Sequence, residues 1–150
     1  MTVIAGIPRF QRLFRKAAGL GIDKSDLRRH DEFVNRKIHD LLQRGCAIAK
    51  ANGRDVVLPA DLPVSGGLQH CIHEFRVLDE DVEVRPILDQ LAKLPPLELD
   101  FSDEVAAGLP DLAGGLSVAL ARSFKIMDAD VKHPGPAEWD RAFALFDLLI

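Results

Sequence analysis

Three groups of side chains in this sequence are of types that could do chemistry, and their spacing decides what each can do. His70-Cys71-Ile72-His73 sets two imidazoles at i and i+3, one face of a helix and the start of a metal site. A tetrahedral site needs further ligands, and none follows at a recognisable spacing, although Cys46 or His39 can approach in space. Val64-Ser65-Gly66-Gly67-Leu68 surrounds a serine with small residues but lacks the G-x-S-x-G spacing of a nucleophile elbow. Neither a G-x-G-x-x-G nor a G-x-x-x-x-G-K-[ST] phosphate loop occurs. His30 stands beside Asp31 and Glu32 near a helix start, where an exposed position is expected. With no assembled acid–base pair, the chain is expected to be non-enzymatic, with no catalytic residue, cofactor or metal. The third group is cationic: Arg9, Arg12, Arg15 and Lys16, followed by Lys24, Arg28 and Arg29. Such side chains neutralise phosphates, or they simply face water.

Charge is unevenly shared. Residues 1–78 hold 13 Lys/Arg against 8 Asp/Glu, a net of +5, and residues 79–150 hold 6 against 15, a net of −9. A basic half beside an acidic half suits a nucleic-acid-facing side, or serves solubility alone. The 47% hydrophobic and 28% charged composition is that of a soluble globular chain. At 150 residues it is long enough to bury about 68–70% of its unfolded surface as one domain. No apolar run approaches the ~20 residues of a bilayer span, so no membrane role is expected. The N-terminus lacks a basic signal-peptide segment, and Cys46 and Cys71 fall in helical patterns, as buried thiols of a reducing cytoplasm do.

The cations need elements to hold them. Phe10, Leu13, Phe14 and Ala17 recur at helical spacing and predict a helix over Ile7–Ala18, with Arg9, Arg12 and Lys16 off its apolar stripe and Arg15 flanking. After Gly19 and Gly21, Ser25 or Asp26 is expected to cap a long helix carrying Val34, Ile38, Leu41, Leu42, Gly45 and Ile48 and ending at Asn52-Gly53. About 26 residues make a rod of ~39 Å, too long for a small globule unless something crosses it. Asp55–Leu58 reads as a strand. A third helix is expected from Pro59, with Leu62, Leu68, Ile72 and Phe75 inward and its continuity weakened at Gly66-Gly67. Beyond the charged link Asp79-Glu80-Asp81, Pro86 opens a helix with Ile87, Leu88, Leu91 and Leu94, stopped by Pro95-Pro96. Leu97–Phe101 alternates as a strand. Ser102 then caps a second long helix with the stripe Val105, Leu109, Leu112, Leu116, Leu120, Phe124 and Met127, which Pro110 is expected to break or kink. Trp139, Phe143, Phe146 and Leu149 predict a final, core-filling helix.

The two halves repeat at an offset of 77 residues. Ser25-Asp26 returns as Ser102-Asp103, and Pro59-Ala60-Asp61-Leu62 returns as Pro136-Ala137-Glu138-Trp139. Phe10, Phe14, Ala17, Leu20 and Ile22 fall on Ile87, Leu91, Leu94, Leu97 and Leu99. Such a repeat marks one supersecondary unit used twice, neither copy able to bury its core alone.

Short–long–short helices used in pairs resemble the histone fold. Ile7–Ala18, the ungapped stretch Ile22–Arg54, and Ala49 through Leu62 are similar to archaeal histones. The whole chain resembles the tandem, pseudodimeric histone-fold family of small bacterial proteins of unknown function. The resemblance implies an all-α fold of two histone folds in one chain, halves about 7–78 and 82–150, joined in an intramolecular handshake. It implies a structural clamp between Arg54 and Asp61, a guanidinium–carboxylate pair that ties the second loop to the following helix. The repeat places Val131 opposite Arg54, so the second half lacks this clamp, and Lys132 with Glu138 is the available substitute. Two bridges between halves are expected: Gly21-Ile22-Asp23 with Asp130-Val131-Lys132, and Val56-Val57 with Leu97-Glu98-Leu99.

Histones grip DNA through arginines entering the minor groove and through loops and helix N-termini on phosphates. The resemblance puts Arg12 at a first-helix arginine of this kind. The first-loop arginine of archaeal histones is Gly21 here, and the Lys-Thr after the clamp is Asp55-Val56. In the second half the first helix offers only Arg85 and Lys93, with Asp89 among them. The expectation is weak, one-sided, sequence-tolerant binding of double-stranded DNA by Arg9, Arg12, Arg15, Lys16 and Lys24 in the cytoplasm or nucleoid. The alternative is a protein-interaction module for another histone-fold protein, using the long-helix outer face and the third-helix ends near His70, His73 and Glu74. Monomer and weak homo-oligomer both remain open.

Overall fold

The computed structural model describes residues 2–88 and 96–150. Leu91, Lys93, Leu94, Pro95 and Asp89, which the sequence reading used, lie outside the described residues. The chain is mostly helical. Helix α1 covers Thr2–Ala18, α2 Lys24–Ala51, α3 Gly66–Val82, α4 Arg85–Leu88, α5 Asp103–Met127 and α6 Pro136–Leu149. The strands are β1, Val56–Val57, and β2, Asp100–Phe101.

Helix α5 is the axis of the fold and packs against α1, α2, α3, α4 and α6. From Leu112 to Ala121 nearly every side chain is buried, which a helix surrounded by other helices requires. By length and composition it also meets the requirement for crossing a bilayer, yet 61% of that window lies inside the protein, as in a core helix. Its closest neighbour is α3. A Cβ on Gly114 would overlap the Phe75 ring, and one on Gly115 would overlap Ile72 Cγ1 and stand 3.0 Å from the Ile72 backbone. These adjacent glycines let α3 lie directly on α5.

The apolar stripes read from sequence lie inside. Phe10, Leu13 and Phe14 of α1, Val34, Ile38, Leu41 and Leu42 of α2, and Leu68, Ile72 and Phe75 of α3 are buried. An aromatic cluster joins α2, α5 and α6: Phe33 stacks on Phe143 at 5.4 Å and meets Phe146 edge-on, while Trp139 meets Phe124 at 4.9 Å. Leu149, expected inside, is 71% exposed, because α6 runs past the end of the core.

Several local expectations are corrected. The cap of α2 is Asp23, in a reciprocal capping box with Asp26, and Ser25 instead donates to the Asp23 carboxylate at 2.6 Å. Ser102 caps α5 as expected, accepting from Val105 N–H. Helix α3 starts at Gly66 rather than Pro59. Pro59–Asp61 makes only a 3₁₀ turn, since Pro63 pushes Leu62 into extended backbone (ψ 124°). Ser65 then caps α3, so Gly66 and Gly67 open the helix instead of interrupting it. The equivalent Pro136 has no second proline after it, and α6 begins there directly. Helix α1 starts at Thr2 and runs through Pro8, whose ring is exposed. Helix α5 runs through Pro110 unbroken, and Arg85 donates to the Ala107 carbonyl of that turn at 3.4 Å. His30, expected exposed, is buried between the Phe10 and Phe14 rings. Cys46 is buried, but Cys71 is only partly so.

Among the described residues, backbone hydrogen bonds join the loops of the two halves at two places. β1 pairs with β2 in parallel, Val56 opposite Asp100 and Val57 opposite Phe101, and Ser102 N–H donates to the Val57 carbonyl at 2.9 Å. The partner is thus Asp100–Phe101 and not Leu97–Leu99, because the register is set by the cap of α5. At the other place Gly21 N–H donates to the Lys132 carbonyl at 2.7 Å, a single bond rather than a strand pair.

Candidate nucleic-acid interface

The Gly21–Lys132 junction brings together side chains more than 100 positions apart. The His133 ring lies 2.5 Å from where a Gly21 Cβ would be, so a side chain at this position would have to displace the ring. Around that contact is a concavity of about 600 Å³ lined by Gln11 and Arg15 of α1, Ser25, Asp26 and Arg29 of α2, and His133 through Pro136. Gln11 Nε2 donates to the Ile22 carbonyl at 3.0 Å and holds the α1 edge of this hollow against the loop. The N-terminus of α6 opens at the same place with no side-chain cap on Gly135, and Glu138 in its first turn brings a carboxylate to that end of the helix.

Asp23 and Asp26 also line the hollow, but their carboxylates serve the N-terminus of α2. Asp23 accepts from Ser25 and from Asp26 N–H, which hold its carboxyl below the ordinary range. Burial, assisted by Asp23, pushes Asp26 up.

The expected DNA-binding cations divide into two sets. Arg12, Arg15 and Lys24, together with Arg28, are exposed and make no side-chain hydrogen bond or ion pair among the described residues. Arg9 and Lys16 instead turn to the end of α3. Arg9 Nη1 donates to the Glu83 carbonyl at 3.1 Å, and Lys16 Nζ lies 3.1 Å from Asp81. The face expected from Arg9, Arg12 and Lys16 is therefore partly occupied, and the open cations sit nearer the loop. Arg29 completes the hollow, 4.0 Å from Asp140. Sequence reasoning counted Arg29 as a cation and missed His133, whose partner in the hollow is 112 residues earlier in the chain, at Gly21.

The β1–β2 junction has the opposite character. Asp55, Glu98, Asp100, Asp103 and Glu104 gather near it, and Lys50 pairs with Glu98. Arg54 pairs with Asp61, which is 2% exposed and also accepts from Leu58 N–H at 2.8 Å, so this loop is tied to the 3₁₀ turn. In the second half Lys132 and Glu138 form no ion pair among the described residues, and Val131 is buried instead.

A separate groove of about 840 Å³ runs between α2, α3, α5 and α6. Leu41, Leu68, Phe146 and Ile150 line it, and Ile126 and Leu149, 83% and 71% exposed, stand at its edge. Arg44 and Arg122 reach its rim, the latter bound to Glu74, which also meets His70 at 2.9 Å. No group of three or more His, Cys, Asp or Glu able to hold a metal ion occurs among the described residues.

A mostly helical chain with one two-stranded parallel bridge has both sequence relatives and structural neighbours. The chain belongs to the family described as a domain of unknown function, DUF1931, which matches residues 10–147. It is 31% identical over 136 residues to an uncharacterized protein of Aquifex aeolicus (strain VF5), covering 81% of this chain and 78% of that one. A second uncharacterized protein of that organism is 31% identical over 77 residues, and there the match spans only 45% of the relative's length. A crystal structure of a Thermus thermophilus protein is 46% identical and superposes with a TM-score of 0.85 over 96% of this chain and 97% of that one. A crystal structure of an Aquifex aeolicus protein has the same fold at 21% identity, with a TM-score of 0.84 over 97% and 95%.

Proposed function

We propose that this chain is a non-enzymatic, histone-like protein, two histone folds in one chain joined by an intramolecular handshake, that holds duplex DNA weakly by one edge. Reciprocity of the two junctions supports the fold reading: each joins the loop after one long helix to the loop before the other. The observation that carries the DNA reading is the Gly21–Lys132 junction. Arg15, Arg29 and His133 converge there beside the α6 N-terminus, with Arg12, Lys24 and Arg28 unpaired nearby among the described residues. Helix N-termini and loop cations are what grip phosphates without reading bases. The acidic β1–β2 junction repels the next stretch of duplex, so the contact is an edge and not a wrap.

The test is affinity for a generic duplex at low salt, for wild type, Arg15→Ala/Arg29→Ala, and the equally charged control Arg44→Ala/Arg122→Ala in the apolar groove. Loss confined to the first variant supports the reading. Equal loss in both assigns the effect to net charge, and no binding by wild type removes it.

The apolar groove favours a second reading, assembly with another copy of the chain. Exposed Ile126, Leu148 and Leu149 stand beside the groove, so one patch offers both a protrusion and a hollow, as a two-fold interface requires. Light scattering across concentration for wild type and Ile126→Asp/Leu149→Asp decides it: a dimer lost in the variant supports assembly, and a wild type monomeric throughout refutes it.

A further inference from the structure

The last turn of α3 works against its own helix. Asp79, Glu80 and Asp81 stand at its C-terminal end, where the helix dipole is negative, and that turn has no basic residue. Glu83 then takes φ 58°, the left-handed conformation that costs a residue with a Cβ about 1–2 kcal/mol. Asp79 accepts from Val84 and Arg85 N–H at 2.7 and 3.1 Å, which fixes the link to α4 but leaves Glu80 and Asp81 uncompensated within α3. For Asp81 the counter-charge comes from Lys16 of α1, and Arg9 of the same helix donates to the Glu83 backbone carbonyl. Two of the four cations of α1 are thereby taken up by an acidic segment whose own helix does not favour it.

We propose that this acidic turn is an internal competitor for DNA: in the free protein it occupies Arg9 and Lys16, and duplex phosphates displace it. This rests on the DNA reading above and adds its regulation. Both partners are largely in water, with side chains 39% and 74% exposed for Lys16 and Asp81, so the contact is weak enough to exchange. On displacement the basic edge grows from the loop junction along α1. Affinity is then set by the difference between two polyanions, the protein's own and the duplex.

The experiment is duplex titration over a range of salt for wild type, Glu80→Gln/Asp81→Asn, and the control Asp103→Asn/Glu104→Gln, which makes the same charge change at the acidic junction. Each variant is repeated with Lys16→Ala. The acidic-turn variant is expected to bind about 3–5-fold tighter at low salt, the scale of an exposed ion pair. Its salt slope should steepen by ~0.9 for each cation released. Lys16→Ala should remove most of that gain, and the control should show little of it. A gain equal to the control's, or a gain that survives Lys16→Ala, overturns the proposal while leaving DNA binding standing. If neither wild type nor any variant binds, the DNA reading itself fails and this inference fails with it.

Discussion

Replacing Gly115 by Ala perturbs a close contact between α3 and α5. In isolation the change favours α5 by about 1 kcal/mol, the helix-propensity difference between Gly and Ala. The added methyl would overlap Ile72 Cγ1 and stand 3.0 Å from Ile72 N and Cα. The Cγ1 atom can rotate away, but the backbone atoms cannot, so α3 must move to restore a contact near 3.5–4.0 Å. Overpacking of this kind costs about 1–3 kcal/mol, and a shift of a whole helix lies at the upper end of that range. The net expectation is a loss of ~2 kcal/mol, or roughly 4–8 °C in Tm for a domain of this size. Gly108 provides the control, because it lies in the same helix with nothing within 4 Å of its would-be Cβ. Gly108→Ala should stabilise by up to ~1 kcal/mol. Urea and thermal unfolding of both variants measure the difference. A Gly115→Ala protein as stable as Gly108→Ala would refute the packing of α3 on α5.

Two further outcomes follow from buried charge. Lys37 is 1% exposed and held by Asp147 of α6 at 2.6 Å and by Asp40 at 3.3 Å, while Arg36 also binds Asp147. Asp147→Ala leaves a buried ammonium with one distant partner and should cost ~2–3 kcal/mol in urea unfolding, below the usual 3–5 because Asp40 remains. His30 accounts for a pH effect. Burial lowers its pKa to about 4, and Nε2 lies 2.7 Å from the Ser117 hydroxyl. The folded state therefore binds fewer protons than the unfolded one below pH ~6.5, and the stability present above that value is lost as pH falls toward 4. Asp31, pushed up to about 6 by burial and then by Glu32, works in the opposite sense, favouring folding as pH falls from 6. Removing it should unmask His30: Asp31→Asn should lose more stability than wild type between pH 7 and 4. Parallel stability curves for the two proteins would contradict that assignment.

What was legible in the chain was local. The α1 stripe, the end of α2 at Asn52-Gly53 and the Ser102 cap depend on neighbours within a few positions, and all three stand where their residues place them. The start of α3 was misread although its signal was present: Pro63 separates Pro59–Asp61 from a helix in the first half, and the second half has no such proline. His30 was misread because burial of a histidine depends on α1 and α5 closing over it. The Gly114-Gly115 contact and the hollow around His133 join distant segments, and no local pattern points to them. The division of the α1 cations has the same origin, since Arg9 and Lys16 find partners more than 60 residues away.

The central claim is that one loop junction binds duplex DNA as an edge, and the salt slope of that binding tests it most directly. An edge of three to four phosphate contacts predicts a slope of about −3, and affinity lower by roughly 40–150-fold between ~50 and ~200 mM salt. Arg15→Ala/Arg29→Ala should reduce that slope by about 2. A complex whose affinity is insensitive to salt, or a slope unchanged by removing both arginines, would contradict the account.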